Sequence, residues 1–73
     1  MDNVEDLFAK HFAEHRALQD ISTIELPDDP TVLRALARRC LAASRAAART
    51  GKSMEVRRLT DLASQFEQRA RKS

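Results

Sequence analysis

The chain has 73 residues, a net charge of +2 and a mixed population of thirteen basic and eleven acidic side chains. A chain this short forms at most one domain and buries only about 60% of the surface that its unfolded form exposes. Its single cysteine, Cys40, excludes an intrachain disulfide and favours a reducing compartment. The stretch "MDNVEDLF" has no secretory signal, and the sequence has no apolar run of about 20 residues. We therefore expect a cytoplasmic protein without a membrane span.

The first predicted element is a helix over about residues 3–20. Apolar residues and two histidines recur there at three- and four-residue spacing, which indicates one buried face. The residues of this face are Val4, Leu7, Phe8, His11, Phe12, His15 and Leu18.

His11 and His15 stand one helical turn apart, a spacing that is able to chelate a metal, with Cys40 as a conceivable third ligand. The zinc-protease pattern has a glutamate directly after the first histidine, whereas Phe12 stands there. We therefore favour two histidines on a mostly buried stripe, hydrogen-bonded to the backbone or to a neighbour's carboxylate, and predict no metal or other cofactor. If both imidazoles are buried at an interface, they form a pH-sensitive core, and protonation near pH 6 should loosen it.

Residues 21–29 are predicted to form an extended linker, because prolines, paired aspartates and β-branched residues cluster there. Ile21, Ile24 and Leu26 must either pack over the helices or meet another chain, and we include them among the candidate partner contacts. Asp29 followed by Pro30 is a helix-start signal, with the aspartate as the N-cap.

Two further helices are predicted, over about residues 30–50 and 53–71. Between them stands "TGKS", in which Gly51 suits a left-handed C-cap and Ser53 an N-cap. The tripeptide Gly51-Lys52-Ser53 also ends a nucleotide-binding phosphate loop, but Ala46 replaces that motif's first glycine and an Ala-rich helix replaces its strand. So brief a connection predicts an antiparallel hairpin.

The predicted fold is therefore all-α, a single helical domain over residues 1–73 in which helix 1 packs against a long hairpin of helices 2 and 3. Much of the apolar inventory is alanine, twelve residues in all, so we expect uncovered apolar surface and a dimeric helical bundle.

A stripe of arginines is the strongest functional signal. Arg34, Arg38, Arg45 and Arg49 project within about 60° of one another on helix 2 and span about 22 Å. No acid lies between Thr31 and Arg49. Residues 1–30 carry a net charge of −6 and residues 31–73 one of +8, so the stripe faces three candidate targets: acids of the same or a sister chain, an acidic partner protein, or a nucleic-acid backbone.

Catalysis has little support, because a single glycine and no convergent nucleophile, base and orienting group are available. A helix-turn-helix DNA reader is also disfavoured, since Arg57 stands where that motif has an apolar residue. The sequence favours a small non-enzymatic interaction protein, a regulator or adaptor that binds an acidic protein. The alternative is a basic helical bundle that binds DNA or RNA phosphates.

Overall fold

The structure, a computed structural model, describes residues 3–11, 26 and 28–72, apart from the side chains of Asn3 and His11. These ranges contain three helices and no strand: α1 spans Asn3–His11, α2 spans Pro30–Arg49 and α3 spans Ser53–Lys72. The all-α prediction is confirmed for this part of the chain. Residues 12–20 of the predicted first helix and most of the predicted linker lie outside the described residues.

The start of α2 is fixed by Asp29. Its carboxylate Oδ1 accepts a hydrogen bond of 2.9 Å from the Thr31 N–H, and its carbonyl accepts the first helical bond, 2.9 Å from the Leu33 N–H. Pro30, which has no N–H to satisfy, occupies the first helical position. The predicted N-cap is confirmed.

The end of α2 is a Schellman motif centred on Gly51, whose φ is +74°. The Lys52 N–H reaches the Ala47 carbonyl at 3.0 Å and the Gly51 N–H reaches the Ala48 carbonyl at 3.2 Å, so carbonyls that the helix leaves unpaired are satisfied. "TGKS" is thus a capped turn. Helix α3 begins with the hydrogen bond from the Val56 N–H to the Lys52 carbonyl, 3.1 Å. Ser53 is therefore the first residue of the helix, whereas the sequence predicts it as the N-cap that precedes the helix.

The core lies between α2 and α3, which pack closely along their length. The buried residues of α2 lie on one face of the helix, on which Ala43 and Ala47 are half-buried. The buried residues of the two helices are Leu33, Leu36, Ala37, Cys40, Ser44, Leu59, Leu62, Ala63, Phe66 and Ala70. The Ser44 and Thr60 hydroxyls lie 3.2 Å apart, so the polar side chain that enters this core has a partner.

Helix α1 packs against α2 through Phe8, which is buried in the same core together with Leu26. Arg39 of α2 strengthens this contact: its guanidinium lies 4.3 Å from the centre of the Phe8 ring and its Nε donates to Glu5 Oε2 at 2.8 Å. One arginine therefore joins the two helices by a cation–π contact and an ion pair.

Candidate interaction surface

The four arginines of the predicted stripe are all exposed on α2. In this part of the chain none of Arg34, Arg38, Arg45 and Arg49 forms an ion pair or a hydrogen bond through its side chain with a described residue. Helix α2 holds them in one line because their spacing of 4, 7 and 4 residues returns to the same face of a helix with 3.6 residues per turn. The result is a row of cations along about 22 Å of surface that no acid of the described residues compensates.

Leu41 lies inside this row. It occupies the seven-residue gap between Arg38 and Arg45 and is 37% exposed, which makes it one of two exposed large hydrophobic residues in the described chain. Apart from Arg38 and Arg45, the exposed positions nearest to it on this face, Ala42 and Ala48, are small. We call Arg34, Arg38, Leu41, Arg45 and Arg49 together the stripe surface: an apolar centre with two guanidinium groups at each end.

Arg39 is set apart from the stripe by its position on the helix and by its partners. It lies on the flank that faces α1, where Glu5 neutralises its charge and Phe8 covers one side of its guanidinium. Its charge is therefore used to hold the fold together, and it does not belong to the stripe surface.

Arg58 of α3 is also used internally. Its Nε and Nη2 both contact Glu55 Oε1, at 2.9 and 2.7 Å, and both side chains are largely buried. Its Nη1 is enclosed and has no hydrogen-bond partner in the described chain, an arrangement that costs free energy. An enclosed donor is out of reach of a ligand, so Arg58 contributes no binding group to the surface.

Cys40 lies wholly within the core. Burial raises the pKa of its thiol from 9.0 to about 11, although the positive charges of Arg58 and Arg39 oppose the shift. The thiolate is the reactive form of cysteine, and a thiol with this pKa is almost entirely protonated at neutral pH. Cys40 behaves here as a small core residue.

A shallow cleft of about 350 Å³ lies beside the turn, between Phe8, the alanine-rich end of α2 and the first turns of α3. Among its polar side chains, Glu55 pairs with Arg58 and the Thr50 hydroxyl donates to the Ala47 carbonyl at 3.0 Å, and Lys52 lines the cleft as well. The cleft brings together no nucleophile with a base.

The other predicted site residues are either buried or outside the described residues. Leu26 is buried in the core and is unavailable to a partner, because it packs with the helices rather than meeting another chain. Ile21, Ile24 and His15 lie outside the described residues, as does the side chain of His11, so the predicted pH-sensitive pair stays a prediction.

None of the helices in the described residues combines the length and apolar character needed to cross a membrane. In the same residues, no group of three or more His, Cys, Asp or Glu side chains is placed to hold a metal ion. Comparisons with protein-family models, with curated proteins and with solved structures find no match for this chain.

Proposed function

We propose that this chain is a small non-enzymatic interaction protein of the cytoplasm, a regulator or adaptor that binds an acidic partner protein through the stripe surface. In this proposal α2 and α3 form an antiparallel hairpin that holds the surface rigid. The three-residue connection and the Ser44–Thr60 contact support that arrangement.

The observation that carries the proposal is that the α2 arginines form two groups, one with partners inside the described chain and one without. Arg39 has an internal acid and an aromatic ring, whereas the four stripe arginines have no ion-pair partner in the described chain. Arginine presents a planar fork that matches a carboxylate with two hydrogen bonds. Four such forks on one rigid face are a ready receptor for several carboxylates.

Leu41 favours a protein partner over the phosphate backbone of DNA or RNA. Protein interfaces have an apolar centre and a polar rim, which is the layout of the stripe surface. The phosphate groups that would meet these arginines offer no apolar surface to cover Leu41. Nucleic-acid binding remains the alternative, because the same guanidinium groups also suit phosphates.

The test compares two variants that lose the same charge. The stripe variant replaces Arg34, Arg38, Arg45 and Arg49 by alanine. The control variant replaces four exposed cations elsewhere by alanine, namely Lys52, Arg57, Arg71 and Lys72. Parent and variants are immobilised at equal density, and bound proteins and nucleic acids are quantified from a nuclease-treated and an untreated native lysate.

The proposal expects the parent and the control variant to retain the same protein after nuclease treatment, and the stripe variant to lose it. Retained material that disappears with nuclease, and binding to random duplex that falls steeply between about 50 and 200 mM salt, would establish the nucleic-acid alternative instead. Equal loss in both variants would mean that net charge, and not the stripe surface, governs binding.

We also propose, separately from the binding of an acidic protein, that the chain forms a homodimer, as its alanine-rich composition predicts. Only Leu41 and Met54 are exposed large hydrophobic residues in the described chain, so a self-interface there has little apolar area. Two stripe surfaces would not pair with each other, because eight guanidinium groups would meet. Light scattering after size exclusion, at micromolar concentration, distinguishes one chain from two.

A further inference from the structure

We infer that the partner presents an α-helix to the stripe surface, with one pair of carboxylates on each side of a single apolar residue. This inference rests on the proposed function and specifies the partner's chemistry. It follows from the axial positions of the five stripe residues.

The axial spacing of the stripe residues is the first step. A rise of 1.5 Å per residue separates Arg34 from Arg38, and Arg45 from Arg49, by about 6 Å, whereas the gap from Arg38 to Arg45 is about 10.5 Å. A second helix lying alongside has the same rise, so acids spaced 4, 7 and 4 residues apart oppose all four guanidinium groups at once. An extended strand places residues of one face about 6.7 Å apart, which leaves Arg45 and Leu41 out of register by about 3 Å.

The second step concerns how closely a helix is able to approach. Besides Arg38 and Arg45, the exposed positions nearest to Leu41 on this face are Ala42 and Ala48, whose methyl groups do not hold a neighbouring backbone away. Packed helices have interaxial distances of about 8–10 Å, within which an apolar side chain reaches Leu41. The arginines at the two ends then extend past this contact to the partner's carboxylates.

The third step excludes a second copy of this chain as the occupant. The required acids stand at relative positions 1, 5, 12 and 16, and no set of four acids in the sequence has this spacing. Glu5, one of the acids of α1, is already paired with Arg39. The occupant is therefore a different protein with an acidic helix.

The spacing of the four arginines is the same read in either direction, and only Leu41 is off centre. A parallel partner helix has its apolar residue at position 8 and an antiparallel one has it at position 9. Two peptides that differ only in whether their apolar residue stands at position 8 or 9 therefore report the direction of the partner helix, through which of them binds more tightly.

The experiment uses labelled 20-residue helical peptides built on alanine and glutamine, and fluorescence anisotropy at about 100 mM salt. Registered peptides carry Glu at positions 1, 5, 12 and 16 and Leu at position 8 or 9. A scrambled peptide has the same composition and helicity with the acids spread around the helix. A random-sequence 16-base-pair duplex is the nucleic-acid probe.

We expect at least one registered peptide to bind the parent and the control variant at least ten times more tightly than the scrambled peptide does. The stripe variant should lose that difference, as should a Leu41→Gln variant in part. Equal binding of registered and scrambled peptides, or no binding of either, would overturn the helical partner. The proposed function would still stand if the stripe-dependent protein is captured after nuclease treatment, and it would fall together with this inference if only the duplex binds.

Discussion

Replacing Gly51 by alanine isolates the cost of one backbone conformation. Gly51 has a φ of +74°, and a Cβ built on it meets nothing within 4 Å. A steric clash is thereby excluded, and only the left-handed backbone conformation penalises the new side chain. For an L-residue that conformation costs roughly 1–2 kcal/mol.

The expected net change is smaller than this penalty. Alanine also restricts the unfolded chain, which favours folding by about 0.4–1 kcal/mol. Gly51→Ala should therefore lower the free energy of unfolding by about 1 kcal/mol, which for a chain of this size lowers the Tm by about 4–8 °C. Gly51→Asn should cost less, because asparagine tolerates the left-handed region.

The assay is urea and thermal unfolding followed by circular dichroism at 222 nm. A chain of this length is accessible to chemical synthesis, so D-alanine at position 51 provides the matched control: it has the same atoms and adopts positive φ without strain. We expect the D-alanine chain to be more stable than the parent by about 0.4–1 kcal/mol. An L-alanine variant as stable as the parent, or a D-alanine chain that is destabilised, would show that the turn is not held as described.

Three further predictions concern the core and the cap. Burial raises the pKa of Cys40 to about 11, so the stability that the protonated thiol contributes is complete below about pH 9 and is lost as the pH rises through 11. The loss is on the order of 2–3 kcal/mol. Between pH 8 and 10.5, the free energy of unfolding in urea should fall more for the parent than for Cys40→Ala. Asp29→Ala should cost about 1 kcal/mol, because the Thr31 N–H loses its acceptor, while Asp29→Ser should recover most of it in the same urea titration. Phe66→Ala should cost about 3–5 kcal/mol and leave the chain largely unfolded at 25 °C, whereas Phe66→Leu should still give a cooperative thermal transition.

The helices were predictable because their signals are local. Asp29-Pro30 fixes one end of α2 and Gly51 the other, and each acts through hydrogen bonds to residues no more than five positions away. The buried face follows from spacing alone, since a helix places residues three and four apart on one side. Ser53 is the exception, because Lys52 supplies the carbonyl that opens α3.

The roles of individual arginines were less predictable, because charge partners separated along the chain leave no periodic signal. Arg39 pairs with Glu5, 34 residues away, and Arg69 lies 3.8 Å from Asp28. Arg39 is not among the residues of the predicted stripe, and nothing in the spacing identified Glu5 and Phe8 as its contacts. Leu41 was missed as well: it stands in the stripe, and an apolar residue in a row of charges was not counted as part of a surface.

The stripe surface carries a free-energy cost that no ion pair among the described residues offsets. Arg34 with Arg38, and Arg45 with Arg49, are like charges one turn apart, and each pair destabilises a helix by about 0.2–0.5 kcal/mol. Alanine is in addition the best helix former, whereas Arg49 in the last turn of α2 gains about 0.3–1 kcal/mol from the helix dipole. The stripe variant should therefore match the parent in stability or exceed it by up to about 1 kcal/mol.

This prediction decides how a loss of binding is interpreted. If thermal unfolding of the stripe variant occurs at or slightly above the Tm of the parent, lost binding reports lost contacts at the stripe surface rather than a disturbed fold. A fall in stability of more than about 1 kcal/mol would mean that these side chains hold the fold together through contacts absent from the described residues. In that case the stripe surface would be structural, and its exposed charges would say nothing about a binding partner.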